Sequence, residues 1–207
     1  GTVPIFILDV IMMKKRARYL AHAAREWAAG QRPWGRPDRT LCWLLQQPDM
    51  CRRHCMDTRM LETLSRRNLG TLETPTNSYS DPYGLTTAIA VGLFYNKDQM
   101  DQWEIDRLGA EAVALTHGSP TAFLSAAAMA HILSRILFDG EEDMSLLTWE
   151  AGQMLRSRFG RGRRLGRRNL VCGGDCGLLG QVLLTLLGAA HFGPHIPREN
   201  RAEEKAN

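Results

Sequence analysis

The feature that most constrains the fold is one long apolar stretch that follows a helix start signal. Ser119 and Pro120 precede it. Serine at the N-cap accepts a backbone N–H bond, and proline at the first helical position gives up no hydrogen bond. Residues 121–138 are therefore predicted to form a helix. The three alanines at 126–128 are small enough for another helix to approach closely at its centre.

Most of the remaining chain also favours helices over strands. Alanine and leucine dominate, and runs of valine, isoleucine and threonine are short. Apolar spacing and stop signals predict helices over residues 10–29, 57–69, 85–95, 97–115, 142–158 and 178–190, with a short helical turn over 41–47. No strand pair or internal repeat is evident. We predict an all-α protein, a compact orthogonal bundle of about seven to nine helices organised around helices 121–138 and 178–190.

The length and the charge of the chain fit a single domain. Its 207 residues suit one domain over residues 1–197, followed by a polar tail over 198–207. The net charge of +4 reflects seven arginines between Arg156 and Arg168, so a chain-wide role in binding nucleic acid or membrane is not implied. We interpret this Arg/Gly segment, residues 156–169, as a solvated loop, with phosphate binding in RNA or DNA as the alternative.

The cysteines and the first residues indicate a cytoplasmic protein. Five cysteines without a secretory signal are typical of reduced thiols. The apolar run over residues 3–8 is too short to span a bilayer, and its basic residues follow it, which is the wrong order for a signal peptide. The Cys-x-x-x-Cys pairs at Cys51 and Cys172 are spaced more widely than most zinc ligands, so free thiols are preferred over a zinc site. We expect a monomer that does not associate with membranes.

Three further stretches place polar residues beside glycines and helix starts. Residues 75–93 read Pro-Thr-Asn-Ser and continue through a turn into an apolar helix, residues 114–120 contain Thr-His-Gly-Ser-Pro, and residues 173–180 contain Gly-Asp-Cys-Gly. In this order they resemble three motifs of the ADP-ribosylglycohydrolase family. These are a Pro-x-Asn turn before an apolar helix, a Thr-His-Gly-x-Pro helix entry, and a late Gly-Asp-x-Asp-[Ser/Thr]-x-Gly motif. The resemblance runs from about Trp27 to Pro197. It fails over 156–169, where the family has a longer helical segment, so the chain is shortened there.

The resemblance implies an all-helical hydrolase that cleaves ADP-ribose from protein side chains, commonly arginine, with a pair of magnesium ions held by carboxylates. ADP-ribose or an ADP-ribosylated protein would then be the partner. By the same resemblance, Asp175 is the expected catalytic residue and metal ligand, and Asn77, Gly84 and His117 are expected to bind substrate. Each polar residue also has a structural interpretation. Asp175 could cap a helix, Asn77 could cap a turn, and His117 could be a buried hydrogen-bonded histidine.

Part of the family's metal-binding pattern is missing. Gly177 falls on the second late aspartate and Leu178 on the Ser/Thr, and neither has a side-chain oxygen. The early Asp-Asp-Thr motif is absent, with Asp9 as a poor remnant. Because hard cations need oxygen ligands, we expect impaired activity. The alternatives are a catalytically inactive module that binds ADP-ribose or a protein, and a basic nucleic-acid-binding protein that uses the Arg/Gly segment.

Overall fold

The computed structural model describes residues 16–31, 43–46 and 57–159, and this part of the chain is helical without strands. It contains six α-helices: α1 Arg16–Gly30, α2 Thr58–Leu64, α3 Leu85–Phe94, α4 Gln102–Ala114, α5 Pro120–Asp139 and α6 Met144–Met154. Short 3-10 turns lie at Trp43–Gln46 and Pro82–Gly84. The all-α prediction is confirmed. The predicted helix over 178–190 lies outside the described residues.

Helix α5 packs against its neighbours through small residues. Both α3 and α4 contact it, and they also contact each other. A Cβ on Gly109 of α4 would lie 2.7 Å from the Cβ of Ala130, and one on Gly92 of α3 would lie 2.9 Å from the Ala130 carbonyl oxygen. The alanines at 126–128 are at most 1% exposed. The prediction that small residues on α5 admit a close neighbour is therefore confirmed.

The start of α5 was predicted correctly in position but not in mechanism. Ser119 is the N-cap residue and Pro120 opens the helix, but the Ser119 side chain makes no capping hydrogen bond. The N–H of Ala122 instead donates to the Ser119 carbonyl oxygen at 3.0 Å. The backbone of this first turn therefore satisfies the donor that the serine hydroxyl was expected to bind.

Two predicted helices are shorter in the structure. The helix predicted over 57–69 ends at Leu64, where Ser65 is the C-cap residue and its hydroxyl donates to the Leu61 carbonyl oxygen. The helix predicted from residue 97 begins at Gln102. Before it, Asn96 and Gln99 exchange hydrogen bonds between each side chain and the other's backbone N–H, at 3.0 and 3.3 Å, which stabilises a turn.

The apolar core has two main parts, one on each side of α4. The first joins α1 to α3 and α4 through Trp27, Val91 and Ile105, each at most 2% exposed. The second joins α4, α5 and α6 around Phe123 and Leu147. Burying a side chain of this size stabilises the fold by about 1.5–3 kcal/mol before the entropy cost of ordering it.

Helix α6 ends in a π-helical turn, Leu155–Phe159, that includes the first residues of the Arg/Gly segment. Phe159 is buried, with its ring 5.1 Å from that of Trp103, and the Arg158 guanidinium lies 5.4 Å from the Trp103 ring. Residues 156–158 were predicted both as the end of the helix over 142–158 and as the start of the Arg/Gly segment. In the structure they are helical, with Arg156, Ser157 and Arg158 exposed and Phe159 buried. Residues 160–169 and the polar tail over 198–207 lie outside the described residues.

Helix α5 is long and apolar enough, judged only by length and composition, to cross a membrane. However, 61% of its most apolar window is buried inside the protein. A buried apolar helix of this length is typical of the core of a folded domain, and the packing of α3 and α4 accounts for its composition.

Candidate functional site

Three chain segments meet at one polar cluster near the start of α2. They are the beginning of α2, the loop between α2 and α3, and the turn between α4 and α5. Six hydrogen-bonding or charged side chains make up this site, which we call the His117 cluster: Asp57, Arg59, Asn77, Tyr79, Asp81 and His117. Two of its members, Asn77 and His117, are substrate-binding residues expected from the sequence.

Asn77 connects the loop to the turn before α5. Its side-chain oxygen accepts the N–H of Gly118 at 2.8 Å and that of Tyr79 at 3.1 Å. Its amide nitrogen donates to the Thr116 carbonyl oxygen at 2.9 Å. The bond to Tyr79, two residues on, is the side-chain-capped turn considered from the sequence. Because these bonds occupy both ends of the amide, Asn77 positions the loop.

The His117 side chain lies beneath this loop and is only 1% exposed. Its Nδ1 lies 2.8 Å from the Thr116 hydroxyl, and its Nε2 lies 3.2 Å from an Asp81 carboxylate oxygen. An ionised carboxylate only accepts, so Nε2 carries the hydrogen in this contact, and in the neutral ring Nδ1 accepts from Thr116. The structural interpretation, a buried and hydrogen-bonded histidine, describes this geometry.

Gly84 lies directly against the imidazole. It belongs to the buried end of the Pro82–Gly84 turn, and a Cβ at this position would lie 2.8 Å from His117 Nδ1 and 3.0 Å from Val113 Cγ1. Glycine lets the chain pass over the ring at a distance that no other residue allows. The third expected substrate-binding residue thus joins Asn77 and His117 at this cluster.

Arg59 supplies the positive charge of the cluster. Its guanidinium lies 2.7 Å from an Asp57 oxygen and 3.4 Å from an Asp81 oxygen, and 5.2 Å from the centre of the Tyr79 ring. The Arg59 side chain is 50% exposed, so a solvent-side anion can approach it. Its hydrogen bonds to Asp57 hold the pKa of that carboxyl below its ordinary value of 3.8.

The sequence reasoning missed Asp57 and Arg59. Asp57 is the N-cap of α2, and its carboxylate accepts the Arg59 N–H at 2.8 Å. An Asp-x-Arg sequence at a predicted helix start is the signal that could have drawn attention to both. Asp81 was given no role from the sequence. It caps the Pro82–Gly84 turn through the Tyr83 N–H.

The family's magnesium pair does not fit the His117 cluster. Across residues 16–31, 43–46 and 57–159, no three His, Cys, Asp or Glu side chains group closely enough to hold a metal ion. In the cluster, Asp57 and Asp81 face the Arg59 cation, which neutralises the charge that a metal would need. Asp175, the expected catalytic residue and metal ligand, lies outside the described residues, as do Asp9 and every cysteine.

The family model for ADP-ribosylglycohydrolase matches residues 4–170 of the chain. The chain belongs to the ADP-ribosylglycohydrolase family. The matched span contains the whole His117 cluster, and it ends before Asp175. Searches of curated proteins and of solved structures found no match.

Proposed function

We propose that this ADP-ribosylglycohydrolase family member binds ADP-ribose linked to a protein side chain, and that it cleaves the linkage slowly or not at all. The observation that carries the proposal is that Asn77, Gly84 and His117, which family resemblance assigns to substrate binding, lie together at one cluster. The family match over residues 4–170 supports the choice of ligand.

The ligand would approach this cluster from its exposed side. ADP-ribose carries two phosphates, and a half-exposed guanidinium is well suited to bind phosphate oxygens in pairs. Arg59 has this exposure, and its contact with Asp81 is long, at 3.4 Å. A bound phosphate would compete with Asp81 for the guanidinium. Asn77 and His117 would act by holding the loop and the Asp81 carboxylate in place beneath the ligand.

We expect reduced turnover because the late motif lacks two of the oxygen-bearing side chains that the family uses there. Cleaving a glycosidic bond at the ribose carbon passes through a centre with oxocarbenium character, and family members orient that reaction with carboxylate-bound magnesium. Here Gly177 and Leu178 stand where two oxygen-bearing side chains are expected. Binding of the ADP-ribosyl group can persist without those ligands, but efficient hydrolysis cannot.

Calorimetric titration of the purified chain with ADP-ribose, with and without magnesium, tests the proposal. We expect saturable binding in both conditions, weakened about tenfold by Arg59→Gln through loss of one charge-assisted contact. Arg107→Gln is the matched control, because Arg107 is similarly exposed and pairs with Glu111 on the outer face of α4. Absence of binding in both conditions would exclude the proposal.

A second assay separates binding from hydrolysis. Release of ADP-ribose from an ADP-ribosylated arginine peptide is followed over time with magnesium present. We expect release at or near the rate without protein. Rapid magnesium-dependent release would show that a working metal site exists in the chain, and the claim of impaired turnover would be wrong.

A further inference from the structure

A second charged network, outside the His117 cluster, joins α4, α5 and α6. Asp106 of α4 is 1% exposed, and both of its carboxylate oxygens lie within 3.2 Å of His131 Nδ1 on α5. The Gln102 side chain donates a further bond to Asp106 at 2.9 Å. Burial raises the pKa of Asp106, and these bonds partly offset that effect.

The other ring nitrogen of His131 faces a second carboxylate. His131 Nε2 lies 3.9 Å from a Glu150 oxygen on α6, which is beyond hydrogen-bonding distance. It is buried and makes no hydrogen bond to the described residues. Glu150 is itself held by Arg135, whose Nε lies 3.0 Å from it.

This arrangement has a different energy in each protonation state of the ring. The Asp106 carboxylate only accepts, so Nδ1 carries the hydrogen, and a neutral His131 then presents a bare Nε2 acceptor towards the Glu150 carboxylate. Two acceptors facing each other with little solvent are unfavourable. When Nε2 is protonated, it becomes a charged donor facing the Glu150 carboxylate, and the contact between them becomes favourable.

Other charged groups near His131 do not replace this interaction. On α5, Arg135 bridges Glu150 and Asp139, and Asp139 also pairs with Lys97. Asp101, at the start of α4, acts on Asp106 only through charge. Helix α3 has no ionisable side chain, and Arg158 of the π-helical turn lies over Trp103.

We propose that His131 is a proton-dependent latch, which when protonated is held between Asp106 and Glu150 and fixes α6 against α4 and α5. Apolar attachment of α6 to the bundle depends on a few residues, which are Leu147 and Ala151 of the helix and Leu155 and Phe159 of the π-helical turn after it. Protonation of one buried histidine therefore changes how often this helix opens. The proposal is independent of what the His117 cluster binds.

Amide hydrogen exchange in the full chain at about pH 8 and about pH 5, corrected for the intrinsic rate, tests the latch. We expect the protection of α6 amides to rise about tenfold at the lower pH in the original chain and to stay level in Glu150→Gln. Glu150 is 27% exposed, so this variant is expected to fold.

His22→Gln is the matched control, since among the described residues His22 pairs with Glu26 of the same helix. It should retain the full rise in α6 protection. Nitrogen chemical shifts of the His131 ring give an independent readout, with a hydrogen on Nδ1 alone at the higher pH and on both nitrogens at the lower. An equal rise in Glu150→Gln, or a ring that stays neutral throughout, would overturn the proposal.

Discussion

Asn77 and Gly118 hold the loop before α3 against the turn before α5. The Asn77 side-chain oxygen accepts the Gly118 N–H at 2.8 Å, and a Cβ on Gly118 would lie 2.2 Å from the Asn77 carbonyl oxygen. The close approach of the two segments therefore depends both on the Asn77 side-chain amide and on the lack of a side chain at Gly118. This contact brings His117 beneath the loop that carries Asp81.

Asn77→Ala should destabilise the protein by about 1–3 kcal/mol, because the Gly118 and Tyr79 N–H groups lose their acceptor. Urea unfolding measures the change. Asn68→Ala is the matched control, since Asn68 is exposed, and it should change stability by less than about 0.5 kcal/mol. Equal stability of the two variants would show that the Asn77 bonds do not support the fold.

Gly109→Ala should lower stability by about 1–3 kcal/mol although alanine is the better helix former, because the added methyl would lie 2.7 Å from Ala130. The thermal unfolding midpoint measures the effect. Gly30→Ala at the end of α1 meets nothing within 4 Å, so it should be neutral or stabilising by up to about 1 kcal/mol. A stabilised Gly109→Ala would contradict the close contact of α4 with α5.

Asp57→Asn should remove stability that depends on pH. Arg59 lowers the pKa of Asp57 in the folded state below its ordinary value of 3.8. The Asp57 carboxylate therefore stabilises the protein at pH values above 3.8, and this contribution is lost as the pH falls through the folded pKa. The difference in unfolding free energy between the original chain and the variant should therefore close in acid. Asp101→Asn, at an N-cap without a side-chain bond, is the control. A difference that persists unchanged in acid would rule out the charge as its source.

Asp106→Asn should reveal a dependence of stability on pH that is opposite to that of Asp57. Burial raises the pKa of Asp106 above 3.8, so its contribution to stability is largest below that value and falls as the pH rises through the folded pKa. The unfolding free energy of the original chain relative to this variant should therefore decrease as the pH rises above 3.8. An increase over this range would mean that the His131 and Gln102 bonds outweigh the burial.

The helices were predictable because a helix depends on residues three or four positions apart. Pro120 marked the start of α5 correctly, and the helix predicted over 85–95 matches α3 to within one residue. The predicted helix ends were less accurate. The helix predicted over 57–69 ends at Leu64, with Ser65 as its C-cap residue, and the apolar spacing does not report that end.

The site was predictable only in part. The motif around Asn77 and the one around His117 identified both residues, and the same motifs indicated the family. The contacts of these residues could not be predicted, because two partners of Asn77, Thr116 and Gly118, lie 39 and 41 positions away. Arg59 belongs to none of the recognised motifs. Its contact with Asp81 forms because the start of α2 packs beside the loop between α2 and α3.

By itself, the sequence determined the helical class, the order of the helices and the family, since these follow from local spacing and short motifs. The tertiary structure alone decided what the polar residues contact. It placed His117 against Asp81 and Gly84, and His131 between Asp106 and Glu150. The physical reason is that a hydrogen bond between distant residues forms only after packing has set the distance between their helices.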